Sequence, residues 1–306
     1  MYSYQDKKLF LQTLHPAAVL AHTGVMFFLS LTCSHPVFLL LLYIILLLEV
    51  KLVDGLPAYK NCVLFSIIML VMIILINPLF GRLGSTVLWS GPVLPVTGRI
   101  VFTLEAVLYG INMGMRLLVV ITVFFLYNRM MNPDRAFSFL ARYAPGSVML
   151  ITLATRLVPY LAVQFKNIKE VQQTRGVEFD CPGITGKIKS YYPLLKVLLL
   201  SSLENAFNIA EAIQSRGYGS GPRSYYTREK FRPRDVIVLA ASGGALLGGM
   251  VLMAGGGAEF QFYPQLGPLF AAPGQPVVMI MIGVFLMLPA FLNWGWQYWP
   301  YLKWRI

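Results

Sequence analysis

Cys62-Val-Leu-Phe-Ser-Ile-Ile-Met-Leu-Val-Met-Ile-Ile-Leu-Ile-Asn-Pro-Leu-Phe80 runs nineteen residues without one charged side chain. As a helix, such a run crosses about 30 Å of hydrocarbon, and a helix satisfies its own backbone hydrogen bonds there. Ile100–Tyr127, Val236–Ala254 and Pro276–Leu292 meet or approach the same standard. Ala17–Thr32 and Val37–Val50 are shorter, and Cys33-Ser34-His35-Pro36 separates them; the proline predicts a break. An all-α, polytopic membrane fold with about six spans is therefore expected. Composition agrees: 57% of the 306 residues are hydrophobic and 12% charged, where a soluble domain has roughly 25% charged. That excludes an ordinary soluble globule, a disordered chain and a disulfide-built secreted module. Lys7 and Lys8 precede the first apolar run as in a signal peptide, but no small-x-small cleavage site follows, so the segment is expected to be retained.

Charge then sets the topology. The chain has 25 Lys and Arg against 13 Asp and Glu, a net +12. With the N-terminus inside, the inner segments hold Lys7, Lys8, Lys51, Lys60, Lys303, Arg305 and sixteen basic residues from Arg129 to Arg234. The outer loops hold only Arg82 and Arg99, the loop Gly255–Gln275 holds none, and Arg116 lies within a span. The positive-inside rule selects this orientation, with both termini cytoplasmic at the cell membrane. Three regions follow: an N-terminal membrane region, 1–128, with four spans; a cytoplasmic region, 129–234; and a C-terminal membrane region, 235–306, with two. The basic excess reads as membrane topology, so no nucleic-acid partner is expected.

Cys33, Cys62 and Cys181 form no CxxC pair, and His15, His22 and His35 have no i,i+4 pairing, so these read as packing or interfacial residues rather than metal ligands. Glu105 and Arg116 are intramembrane charges, separated by roughly 16 Å along one helix and unable to pair directly. Arg116 is expected to pair with neighbouring helices. Gly110-x-x-x-Gly114 and Gly244-x-x-x-Gly248 suit close helix contact.

The cytoplasmic region carries a repeat. Ser147–Arg175 and Pro193–Arg216 both read as helices, with apolar stripes at Val158, Leu161, Phe165, Ile168 and at Leu199, Leu203, Phe207, Ala210. Glu170-Val-Gln-Gln-Thr174-Arg175-Gly176 matches Glu211-Ala-Ile-Gln-Ser215-Arg216-Gly217 at an offset of 41 residues. A glycine C-cap behind a helix-end cation accounts for one Arg-Gly. It does not account for the shared residues before both. Arginine presents a rigid donor fork suited to bidentate contact with carboxylate, so two such ends imply two equivalent acceptor sites.

These motifs resemble those of the transmembrane (T) components of energy-coupling-factor transporters, the family that includes the cobalt-transport Q proteins. There, two coupling helices each end in a short Ala-Arg-Gly motif that docks on an ABC-type ATPase subunit. Thr174-Arg175-Gly176 and Ser215-Arg216-Gly217 stand at those places, with a small polar residue replacing alanine. Asn132-Pro133-Asp134, Arg156-x-x-Pro159, Pro193-Leu-Leu, Arg223-Ser224-x-Tyr226 and Arg232-Pro-Arg234-Asp235 resemble further family positions. The segment before the first span departs, with His15-Pro16-Ala17-Ala18 in place of a more basic sequence. The resemblance implies an energy-coupling scaffold, with no catalytic, metal or cofactor site of its own. Its implied partners are two ABC-type ATPase subunits and a small substrate-binding membrane subunit, within an importer of a vitamin or a transition-metal ion.

The rival reading is an integral-membrane enzyme acting on a lipid or isoprenoid head group. Its Mg²⁺ would require gathered carboxylates, and Asp134, Glu170, Glu178, Asp180, Glu204, Glu211 and Glu229 form no tight D-x-x-D cluster. Cys181-Pro-Gly-Ile-Thr-Gly186-Lys187-Ile188 lacks the first glycine and the Ser/Thr of a phosphate-binding loop. A connecting turn is expected there, over Gly183–Ser190.

Overall fold

The structure is a computed structural model that describes residues 9–80, 84–94, 98–179, 183–221, 231–270 and 273–298. Lys7, Lys8, Arg82, Asp180, Cys181, Arg223, Ser224, Tyr226, Arg228, Glu229, Lys230, Lys303 and Arg305 lie outside the described residues. The chain forms two compact units: Met1–Ala136 with Glu229–Ile306, and Phe137–Arg228.

The first unit contains six long helices: α1 (Pro16–Thr32), α2 (Pro36–Leu52), α3 (Leu56–Phe80), α4 (Leu104–Met130), α8 (Pro233–Ala254) and α9 (Gln275–Tyr298). Pro36 starts α2 at a position where its missing N–H costs nothing, and Cys33 caps α1 by donating to the Leu29 carbonyl. The α1–α2 break therefore lies at the predicted place. At 17 residues each, these two helices sit at the lower limit for a span. Gly114 faces Leu70 of α3, where an added Cβ would come within 2.8 Å of Cγ, and Gly248 meets Ile282 of α9 at the same distance. Both small-residue patterns thus mark close helix contacts. Leu29, Phe38, Leu46, Val119, Leu126, Val238 and Ile282 contribute to the common apolar core.

The fourth span differs from its expected start. Residues 98–103 form a strand, β2 (Gly98–Thr103), paired antiparallel with β1 (Val87–Leu94). Leu104 begins the helix because Thr103 caps it, its Oγ1 accepting from the Ala106 N–H at 3.3 Å. The β-branched and aromatic run Ile100-Val-Phe-Thr103 favours a strand over helix. This hairpin is the sole sheet among the described residues. The fold remains all-α and polytopic.

The second unit holds α6 (Pro145–Thr174) and α7 (Ile184–Ser215), preceded by α5 (Pro133–Leu140), which begins in the first unit. Here α7 starts nine residues before the expected Pro193, so Gly183–Ser190 is not a turn. Gly183, at φ +93°, turns the chain, and Ile184 onward is helical through Pro193. Five helices are long and apolar enough to cross a membrane: Leu56–Asn77, Leu104–Met130, Pro145–Thr174, Pro233–Ala254 and Gln275–Gly295. The third of these is α6.

Candidate functional site

Arg175 and Arg216 are the C-cap residues that directly follow α6 and α7, and the backbone turn beyond them repeats. Gly176 has φ +86° and Gly217 φ +76°. Gly176 N–H donates to the Gln173 carbonyl at 3.0 Å, and Val177 N–H to Gln172 at 3.1 Å. In the second helix Gly217 N–H donates to Gln214 at 2.9 Å, and Tyr218 N–H to Ile213 at 3.3 Å. Each is a Schellman cap, which needs a left-handed residue after the helix. The small polar residue repeats too: Thr174 Oγ1 donates to the Val171 carbonyl at 2.8 Å and Ser215 Oγ to Ala212 at 3.1 Å.

The caps explain the glycines and hydroxyls but leave the arginines unexplained. Arg175 and Arg216 are exposed, and neither guanidinium has a hydrogen-bond or ion-pair partner among the described residues. Their fork is left free to meet another molecule.

The two ends lie far apart. Phe179, just beyond the first, packs on Tyr191 near the start of α7, with ring centroids 5.0 Å apart. Lys169 Nζ stands 5.5 Å from the Phe179 ring. The second end borders a groove of about 600 Å³, lined by Met149, Leu150 and Leu153 of early α6 with Ile213, Gln214 and Tyr218. The helices therefore run antiparallel, each motif beside the start of the other helix. The rise from Met149 to Thr174 separates the two ends by about 40 Å. Much of the expected apolar stripe is uncovered: Val158 is 67% exposed, Leu199 68% and Phe207 66%.

In the first unit, the residues from which the chain leaves for α6 and to which it returns after α7 share one anchor. Arg135 donates to the carbonyls of Gln12 at 2.6 Å and Leu14 at 2.9 Å. Arg234 donates to Thr13 between them at 2.9 Å. Asp235 accepts from the backbone N–H of His15 and from that of Arg232, each at 2.9 Å. Four successive residues, 12–15, thus clasp both connections. Their separation in sequence hides this, and only the Arg-Pro-Arg-Asp stretch hinted at it.

The intramembrane charges each find their own partners. Glu105 accepts from Ser85 Oγ at 3.0 Å, Thr86 Oγ1 at 2.7 Å and Thr86 N–H at 3.1 Å, binding the hairpin to α4. Arg116 donates to Ser34 Oγ at 2.5 Å and to the Cys33 carbonyl at 3.4 Å, at the α1–α2 break. A third charge, Glu49, is fully buried against His22 at 3.0 Å. No spacing signal joins positions 27 apart. His15 caps α1 by accepting from Ala17 N–H at 3.1 Å, and His35 Nε2 lies 2.7 Å from the Leu269 carbonyl. Among the described residues, no three His, Cys, Asp or Glu gather as for a metal.

The family model described as "Cobalt transport protein" (CbiQ) matches residues 7–226. The energy-coupling factor transporter transmembrane protein EcfT of Staphylococcus aureus is 27% identical over 251 residues, covering 75% of this chain and 88% of that protein. The EcfT protein of Lactobacillus helveticus is 36% identical over 93 residues, 30% of this chain and 34% of its own length. For the Thermotoga maritima EcfT protein the figures are 30% identity over 100 residues, 32% of this chain and 37% of the relative.

Proposed function

From the premise that the chain belongs to the cobalt transport protein family, and is a transmembrane component of an energy-coupling-factor transporter, we propose how it works within that assembly. It is the scaffold of an ATP-driven importer, linking two ABC-type ATPase subunits to a small substrate-binding membrane subunit. Its cargo is a micronutrient, a vitamin or a transition-metal ion. ATP is hydrolysed on the partners, and this chain supplies neither catalysis nor a cofactor.

One observation carries the reading: two helix ends with the same cap, each presenting an exposed and unpartnered arginine, about 40 Å apart. A repeated device at that separation suits two copies of one acceptor. Thr174, Arg175 and Gly176 serve one ATPase subunit, and Ser215, Arg216 and Gly217 the other. Each guanidinium enters an acidic groove, where removing one partner of a desolvated pair is costly. The region 129–234 and both termini lie on the cytoplasmic side, as the distribution of basic residues favours. There α6, although apolar enough to span, lies along the membrane interface, a placement suited to a helix that carries Arg156, Lys166 and Lys169 among its apolar residues. The uncovered apolar residues of α6 and α7 receive the substrate-binding subunit.

Co-expression with candidate pairs of ABC-type ATPase subunits tests the assignment. A detergent-stable complex with ATPase activity is expected, and none from the chain alone. Phosphoryl or acyl transfer by the pure chain would overturn it.

A further inference from the structure

The first unit has a second feature that the coupling scheme does not use: a groove between α3 and α4. Its volume is about 250 Å³, and Cys62, Ile121, Phe124, Phe125, Asn128 and Arg129 line it. The walls are apolar except at one end, where Asn128 and Arg129 stand. Arg129 lies in the last turn of α4. A 27-residue helix is about 40 Å long, against roughly 30 Å of hydrocarbon, so its last turn stands at headgroup depth. The groove thus runs from the acyl-chain region to the level of the phosphates.

The guanidinium of Arg129 is held but not neutralised. Its Cζ stacks 5.7 Å from the Phe125 ring. Its Nε is buried with no hydrogen-bond partner, and no carboxylate bridges it among the described residues. Arg116 and Arg234, in the same unit, also have a buried Nε with no hydrogen-bond partner but donate through Nη2, and Arg135 is bonded to backbone carbonyls; the Arg129 guanidinium makes no hydrogen bond among the described residues. Exposed Lys60 lies two residues before Cys62 and adds positive charge on the α3 side. A buried donor without an acceptor beside an apolar slot calls for a ligand with an anionic head and a hydrocarbon tail.

We propose that this groove binds one anionic phospholipid, with its phosphodiester on Arg129 and Asn128 and one acyl chain along Ile121, Phe124 and Cys62. A soluble phosphate leaves the apolar wall unused. A protein partner would have no need of a cation placed at headgroup depth.

Native mass spectrometry of the full chain, titrated with phosphatidylglycerol or phosphatidylcholine, tests this. Phosphatidylglycerol should be retained about fivefold better, the ratio expected for one surface cation. Arg129→Gln should abolish that preference. The backbone carbonyl of Arg129, which accepts from Gln12 Nε2 at 3.1 Å, is kept in that variant, so the clasp persists. Arg129→Lys should retain most of the preference, and Ile121→Trp, which fills the slot, should lower retention of both lipids. Alkylation of Cys62 by N-ethylmaleimide, with Cys181→Ser to remove a competing thiol, should slow with phosphatidylglycerol and not with soluble glycerol phosphate. Equal retention of the two lipids, an unchanged preference in Arg129→Gln, or unaltered Cys62 alkylation would overturn the proposal. So would Arg129-dependent binding of glycerol phosphate, which would make this a water-side anion site. Slower Cys62 alkylation caused by the substrate-binding subunit and by no lipid would assign the groove to a protein and equally overturn it.

Discussion

The two units use arginine in opposite ways. In the unit of Met1–Ala136 and Glu229–Ile306, Arg116, Arg135 and Arg234 are spent on the chain itself, each donating to backbone carbonyls or a hydroxyl. In the unit of Phe137–Arg228, Arg175 and Arg216 are exposed and bonded to nothing among the described residues. The apolar residues differ in what they close on. The first unit buries Leu29, Phe38, Leu46 and Ile282 in one core and leaves Leu64, Leu75 and Val277 uncovered outside it, whereas α6 and α7 leave Val158, Leu199 and Phe207 uncovered and bury little beyond Val148 and Leu194. The first unit spends Arg116, Arg135 and Arg234 on its own fold and leaves only Arg129 of its buried-Nε arginines without a guanidinium hydrogen bond among the described residues. The other presents the surface and the charges that a complex would complete.

The largest effect should come from removing both free arginines. Arg175→Ala with Arg216→Ala should abolish ATP-driven uptake and greatly weaken ATPase co-purification, since each lost contact costs about 2–5 kcal/mol. Membrane insertion should not change. Arg→Lys should rescue only partly, because an ammonium cannot reproduce the bidentate fork. If the double variant transports normally, the repeat is only a pair of helix caps and the contrast between the units fails.

Arg135→Ala probes the opposite side. It removes two charge-assisted bonds, to Gln12 and Leu14, and should destabilise the purified chain by about 4 kcal/mol. Thermal unfolding in detergent measures this. Arg175→Ala in the same assay should stay within about 0.5 kcal/mol of the parent. Equal losses would show that the exposed arginine is also structural.

A third comparison separates the two ends within the second unit. Phe179 is 3% exposed and packed on Tyr191, whereas Tyr218 is 59% exposed. Phe179→Ala should cost about 3 kcal/mol locally, and Tyr218→Ala about 0.5 kcal/mol or less. Hydrogen exchange over each loop would report it. The first end is braced against α7, while the second is held chiefly by its own cap.

These differences explain what could be read in the chain. Apolar runs and Pro36 gave the six long helices of the first unit, because an apolar run and a missing N–H are local matters. The repeat gave both motif ends, because a Schellman cap needs only a glycine in the next position. Where the decision lay with a distant partner, the reading fell short. Glu49 meets His22 from another helix, 27 positions away. The clasp binds residues 12–15 to Arg135, Arg234 and Asp235, more than a hundred positions away. Pro193 was expected to start a helix, since its missing N–H costs least there, yet α7 continues through it.

The smallest effect should come from the cap glycines, where the two ends are most alike. Both hold a left-handed φ, which an L side chain adopts at a cost of about 1–2 kcal/mol. A Cβ at Gly176 would meet nothing within 4 Å, whereas one at Gly217 would approach Ser220 Oγ at 2.9 Å. Gly217→Ala should therefore cost slightly more than Gly176→Ala, with asparagine better tolerated than alanine at either. The readout is exchange protection of the Val177 and Tyr218 amides, which close the two caps. Loss of protection should accompany a modest drop in ATPase co-purification, because a frayed cap still carries its arginine but no longer aims it. A drop as large as that of Arg175→Ala would mean that cap geometry, more than the guanidinium, makes the contact.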